Sequence, residues 1–132
     1  ASGSLVSMSD KQIPAQSSIV FDYGSVNDGL EISDDYTTFL VKQKGLYLID
    51  YALLQTQCSC ANSFIAIAKN GEIIPESRIS YLCENTWLSN KIILELEVED
   101  VITMINESAC ELYADAYGDS VNARLMMVQI RE

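Results

Sequence analysis

Residues 45–54, Gly-Leu-Tyr-Leu-Ile-Asp-Tyr-Ala-Leu-Leu, form an extended run that is apolar on both faces. Alternation puts Tyr47, Ile49, Tyr51 and Leu53 on one side and Leu46, Leu48, Ala52 and Leu54 on the other, with Asp50 as the single charge. In an antiparallel sandwich one face of each sheet normally meets water, so its strands alternate apolar with polar. A strand greasy on both sides, in a chain without helical periodicity to supply a cover, calls for a second subunit. The run therefore constrains the fold to packed sheets and predicts that the chain associates.

The rest of the chain supports an all-β reading. Strands are expected at Ser18–Tyr23, Leu30–Ile32, Tyr36–Lys42, Leu46–Gln57, Phe64–Lys69, Glu72–Ile74, Ile79–Cys83, Lys91–Val98, Val101–Ile105, Glu111–Ala114 and Arg124–Ile130. Asn70-Gly71 marks a two-residue hairpin with positive φ at both positions, and Pro75 ends the returning strand. Short strands at this spacing make a sandwich or barrel. At 132 residues the chain is long enough for one domain that buries roughly 70% of its unfolded surface. Residues 1–16, opening Ala-Ser-Gly-Ser, are expected to be a linker or stalk remnant, and 17–132 the domain. No apolar run is long enough to span a bilayer, and no basic start leads into an apolar stretch.

Charge and composition narrow the chemistry. A net charge of −11 repels phosphate backbones and anionic membranes, so nucleic-acid binding and membrane insertion are not expected. From Ile92 to Ala123 there are eight acids and no Lys or Arg; Asp22, Asp28, Glu31, Asp34 and Asp35 lie in a second base-free stretch. Such acids keep a chain soluble, and they also suit cations or a basic partner. Histidine is absent, which removes the commonest general base and zinc ligand. No nucleophile elbow, phosphate loop or dinucleotide fingerprint occurs, and the adjacent acids Asp34 and Asp35 point apart on an extended backbone, so no enzyme is expected. Cys58, Cys60, Cys83 and Cys110 leave three states open: one or two disulfides, free thiols, or a zinc site that lacks the usual Cys-x-x-Cys knuckle. Asn106-Glu107-Ser108 matches the N-glycosylation sequon and is read as a chance match.

Several short runs carry a resemblance. Gly45-Leu46-Tyr47-Leu48-Ile49 followed by Tyr51 resembles the GxYxFxY strand of the C1q/TNF-like jelly roll. Ala68-Lys69-Asn70-Gly71 is similar to that family's hairpin. Leu94-Glu95-Leu96 with Glu99-Asp100-Val101 resembles its LqLxxGDxV element, with Glu99 where the family usually has Gly. Leu125-Met126-Met127-Val128 stands where the final strand is expected, without its Phe; Ala123 or Leu125 stands in. The resemblance covers about residues 17–131. It implies an all-β, ten-stranded jelly-roll sandwich that forms a homotrimer around a threefold axis.

On that resemblance Leu46, Leu48, Asp50, Lys91, Ile93, Arg124, Met126 and Val128 form the trimer interface. Three copies of Asp50 near one axis would repel unless paired, protonated or bridged by a cation, and Lys91 and Arg124 are the expected partners; Asp50 at a wet strand edge is the alternative. Some family members bind calcium, for which Asp28, Asp34, Asp35, Asp115 and Asp119 are the candidates; no other cofactor is implied. Trp87, Tyr81, Tyr113 and Tyr117 are loop or edge aromatics, expected mostly to pack in the core or an interface. The function implied is a non-enzymatic head that caps a collagen-like stalk on a bacterial spore or cell surface, most like exosporium glycoproteins, for assembly and surface contact. Its partners would be itself as a homotrimer and other surface-layer proteins, or a host receptor or glycan. The alternative is a receptor- or glycan-binding tip, such as a phage fibre head or a TNF-like ligand.

Overall fold

The computed structural model describes residues 1–58, 60–82, 85–118 and 120–132. Its strands in chain order are β1 (Ser2–Ser7), β2 (Lys11–Ile13), β3 (Tyr23–Val26), β4 (Leu30–Ile32), β5 (Thr38–Val41), β6 (Gly45–Gln55), β7 (Gln57–Cys58), β8 (Asn62–Lys69), β9 (Glu72–Ile73), β10 (Ile79–Leu82), β11 (Thr86–Leu96), β12 (Val101–Asn106), β13 (Leu112–Ala114) and β14 (Ala123–Arg131). Among the described residues the only helical element is a 3₁₀ turn, Pro75–Ser77. Two sheets face each other. The front sheet runs β11-β6-β14-β1-β3, and the back sheet runs β10-β8-β12-β5-β4, with β9 returning beside β8. A small third sheet, β2-β13-β7, sits at one end. The five-stranded paths of the two main sheets match the ten-stranded sandwich that was expected.

The apolar alternation decides which faces meet. Tyr47, Ile49, Tyr51 and Leu53 of β6 are fully buried, as are Leu125 and Met127 of β14 and Ile65 and Ile67 of β8. With Leu5, Phe39, Ile102 and Met104 they fill the space between the sheets. The two tyrosines are buried because their hydroxyls find partners. Tyr47 donates to the Gln43 carbonyl at 2.6 Å, and Tyr51 donates to the Ser77 carbonyl while accepting from the Asn90 amide at 3.1 Å. Gly45 is required by close approach, since a Cβ there would lie 2.6 Å from the Arg131 carbonyl and collide with the Gln129 side-chain amide.

Two of the motif fragments meet in space. The Asn70-Gly71 hairpin has φ of 54° and 84°, as its type demands. The Asn70 side chain then donates to Asp100 at 2.9 Å and accepts from the Val101 N–H at 2.8 Å, which pins the hairpin to β12. Glu99, the departure from the family's Gly, has a φ of 78°, so this position does call for a left-handed backbone.

Three expectations are corrected. Residues 1–16 are not a linker: β1 lies inside the front sheet between β14 and β3, and β2 pairs with β13. What holds them is Asp22, whose carboxylate accepts from the Lys11 ammonium at 2.6 Å, the Met8 N–H at 2.8 Å and the Ser9 hydroxyl at 2.8 Å. Ser18–Tyr23 is not a strand; Ser18 makes a lone bridge to Ile105, and the regular strand starts only at Tyr23. Finally, β11 begins at Thr86 rather than Lys91, which lengthens the front sheet's edge strand at its start.

Candidate functional site

The outer face of the front sheet is built by register. Asp50 of β6 lies between Lys91 of β11 and Met126 of β14, and Leu48 lies between Ile93 and Val128. Leu46 is opposite Glu95 on one side and Arg131 on the other, and Arg124 is opposite Ala52. All eight residues expected at an interface therefore share one face, because the side-chain period of a strand is two and the three central strands keep one register. The face is apolar and open: Ile93 is 55% exposed, Val128 41% and Met126 37%, with Leu46 and Leu48 half-buried.

The charges on this face are arranged diagonally. Arg124 Nη2 lies 3.3 Å from Asp50 Oδ1, and both side chains are partly sheltered. Lys91, directly across from Asp50, is exposed and makes no ion pair with any described residue. So one of the two expected cations satisfies Asp50 within the chain, and the other points away from the sheet unpartnered. Trp87 belongs to the same face. It is 44% exposed on β11 opposite Leu54, at the upper end of the row Ser89, Lys91 and Ile93. Extending the alternation of Lys91–Val98 backwards by four residues would have found it. Of the other aromatics, Tyr81 is an exposed residue of edge strand β10, Tyr113 lies in the small sheet, and Tyr117 accepts from the Asn85 amide at 3.4 Å in the loops above β11.

The two ends of the sandwich differ. Residue 1 lies at the base, where its carbonyl accepts from the Gln129 N–H at 2.7 Å, beside Gly45 and Arg131. The cysteines lie at the opposite end. Cys60 is bridged to Cys110 with 6.0 Å between Cα atoms, and no free cysteine remains among the described residues; Cys83 lies outside them. This removes the zinc and free-thiol alternatives for Cys60 and Cys110. Asn106 is fully buried, and its amide donates to the carbonyls of Ile13, Pro14 and Cys110, each at 3.1 Å, so the sequon is closed to modification in the folded state.

The four described calcium candidates are not gathered. Asp28 and Asp34 flank opposite ends of β4, Asp35 is held in its own turn by Ser33 and Thr37, and Asp115 lies by Thr56 in the upper loops. Those hydroxyl bonds hold the Asp35 carboxyl below its usual range. Asp119 lies outside the described residues. Among the described residues no group of three or more acids or cysteines is placed to hold a metal ion.

Solved structures share the architecture. Murine APRIL at pH 8.5 superposes with a TM-score of 0.70 at 15% identity over 98% of both chains. The fold is the C1q/TNF-like jelly roll. The globular domain of zebrafish complement 1qA gives 0.69 at 14% identity over 99% of this chain and 98% of that one. The Eiger TNF of S. frugiperda gives 0.70 at 11%, over 98% and 91%. No protein-family model matches the chain, and no curated protein sequence does.

Proposed function

We propose that this chain is a homotrimeric, non-enzymatic head domain, exposed outside the cell, that caps a collagen-like stalk on a bacterial spore or cell surface. One observation carries the reading: an apolar outer face on the front sheet, crossed by a single diagonal ion pair and covered by no other part of the chain among the described residues. Leaving Ile93, Met126 and Val128 in water forgoes burial free energy of about 25 cal/mol per Å², which a sister chain would recover. The C1q/TNF-like fold supports a threefold arrangement over a twofold one. In this reading the stalk would join at the base, where β1 enters the front sheet, and the cysteine-braced end would be the surface presented outward.

The exposed Tyr81, Leu82 and Tyr117 favour a second reading at that same end, a receptor- or glycan-binding tip. Mass in solution tests the foundation of both. Light scattering is expected to give three times the 14.6 kDa chain, about 44 kDa. A stable monomer removes the trimeric head altogether. If the mass is trimeric, the gene sequence immediately upstream distinguishes the two: Gly-X-Y repeats fit the stalk cap, and their absence beside phage structural genes fits the tip.

A further inference from the structure

At the side of the sandwich opposite β11, the front sheet ends in β3, and all four of its residues are exposed. Among the described residues β3 pairs only with β1, so one of its two edges is open. The Asn27 N–H donates to the Ser2 carbonyl at 3.1 Å, and this fixes the phase of the ladder. In an antiparallel pair of that phase Ser25 faces β1, while the N–H and C=O groups of Gly24 and Val26 point to the open side. The back sheet ends on the same side in β4, which is also an edge. Between the two edges runs an open groove of about 430 Å³, floored by Ile32 and Tyr36 and flanked by Glu31 and Asp34. Gly24 lets the Ile32 and Leu5 side chains close against the β3 backbone, for a Cβ there would lie 2.6 Å from Ile32 and 2.9 Å from Leu5.

We propose that this edge takes up an extended, basic segment of a partner protein as an added strand beside β3. Backbone groups of Gly24 and Val26 would bond the incoming chain. Its alternate residues would be Lys or Arg, with stems lying on Ile32 and Tyr36 and charged ends meeting Glu31 and Asp34. The intervening residues would be apolar and face outward beside Tyr23 and Ser25, because Val26 shares the inner face with Gly24. Charge selects this occupant over a second copy of the chain. Glu31 and Asp34 line the groove of a molecule carrying −11, so a self-paired β3 edge would bring four carboxylates together. Four strand residues limit the docked segment to about five residues, roughly 17 Å. The proposal does not rest on the trimer, since it uses the edge farthest from β11.

Calorimetric titration of the whole chain with acetyl-(Lys-Val)₃-amide tests it, alongside acetyl-(Glu-Val)₃-amide and two Lys-Val peptides N-methylated either at every Lys or at every Val. A strand has one set of alternate N–H groups on each edge, so methylation of one set only is expected to weaken binding, by about tenfold or more. The Glu-Val peptide is expected not to bind. Asp34→Asn, at an exposed position that does not threaten folding, is expected to weaken the Lys-Val peptide several-fold, and Val26→Pro to weaken it at least as much by removing an edge donor. Equal loss from both methylated sets, or none from either, means charge attraction without strand addition and overturns the proposal, as does absence of Lys-Val binding at millimolar concentration. A fall in mass caused by Val26→Pro would identify a second copy as the occupant and overturn it as well. Failure of the trimer reading would show in the mass of the unmodified chain without peptide, so the two results are separable.

Discussion

Asp22 shows how one residue can decide the fate of a segment. Burial pushes its carboxyl up, but the bonds from Lys11, Met8 and Ser9, together with the Lys11 charge, outweigh that and lower it from 3.8 to about 2. Because the folded value is depressed, the stabilisation is fully present above pH 3.8 and is lost as pH falls through about 2. Asp22→Asn is expected to cost on the order of 1 kcal/mol at neutral pH after solvent screening, and to flatten the acid limb of a pH-dependent melting curve; an unchanged acid limb would show that Asp22 holds nothing. Glu99 makes a second case. At φ 78° any side chain is strained, so Glu99→Gly is expected to be more stable than Glu99→Ala by about 1 kcal/mol in urea unfolding. Both variants lose the 2.9 Å contact with Lys42, which leaves the backbone as the difference. The missing family glycine was legible in the sequence; the φ that gives it meaning was not.

Among elements, β6 was the most legible. Its two-sided hydrophobicity required burial on one side and predicted cover on the other, and register then aligned β11 and β14 beside it. Asp50→Asn would strand Arg124 in the proposed interface, and truncating one partner of such a pair costs about 2–5 kcal/mol of association. Dilution monitored by sedimentation is expected to show earlier dissociation, and an unshifted midpoint would place Asp50 in water. Ile93→Glu is expected to give a folded monomer, since its side chain is already exposed in one chain. β1 and β2 were illegible for a physical reason. Ser2–Ser7 is poor in apolar residues and becomes a strand only because β14 and β3 bracket it.

For the whole molecule, the cysteine bridge and the termini give the sandwich a polarity. Cys60–Cys110 closes a span of 50 residues across the end away from residue 1. Replacing both by Ser is expected to lower unfolding free energy by about 2–4 kcal/mol, measured in denaturant with and without reductant; equal stability of the oxidised and reduced chains would count against any structural role for the bridge. The association state should survive this change, because the outer face of β6, β11 and β14 lies along the body of the sheet. A loss of both together would mean that the cysteine-braced end also takes part in assembly.

The sequence by itself determined what alternation and turn chemistry can encode locally: most of the strands, the Asn70-Gly71 hairpin, the sheet-on-sheet class and the two faces of β6. It also supplied the family resemblance, carried by four short fragments in order. Only the tertiary structure decided, among the described residues, which cation meets Asp50, that Asn106 is sealed, that the loop acids stay apart, and that β3 ends the front sheet with a free edge. Those outcomes depend on contacts between residues tens of positions apart, set by how strands order themselves in the sheets, and strand order leaves no period in a sequence.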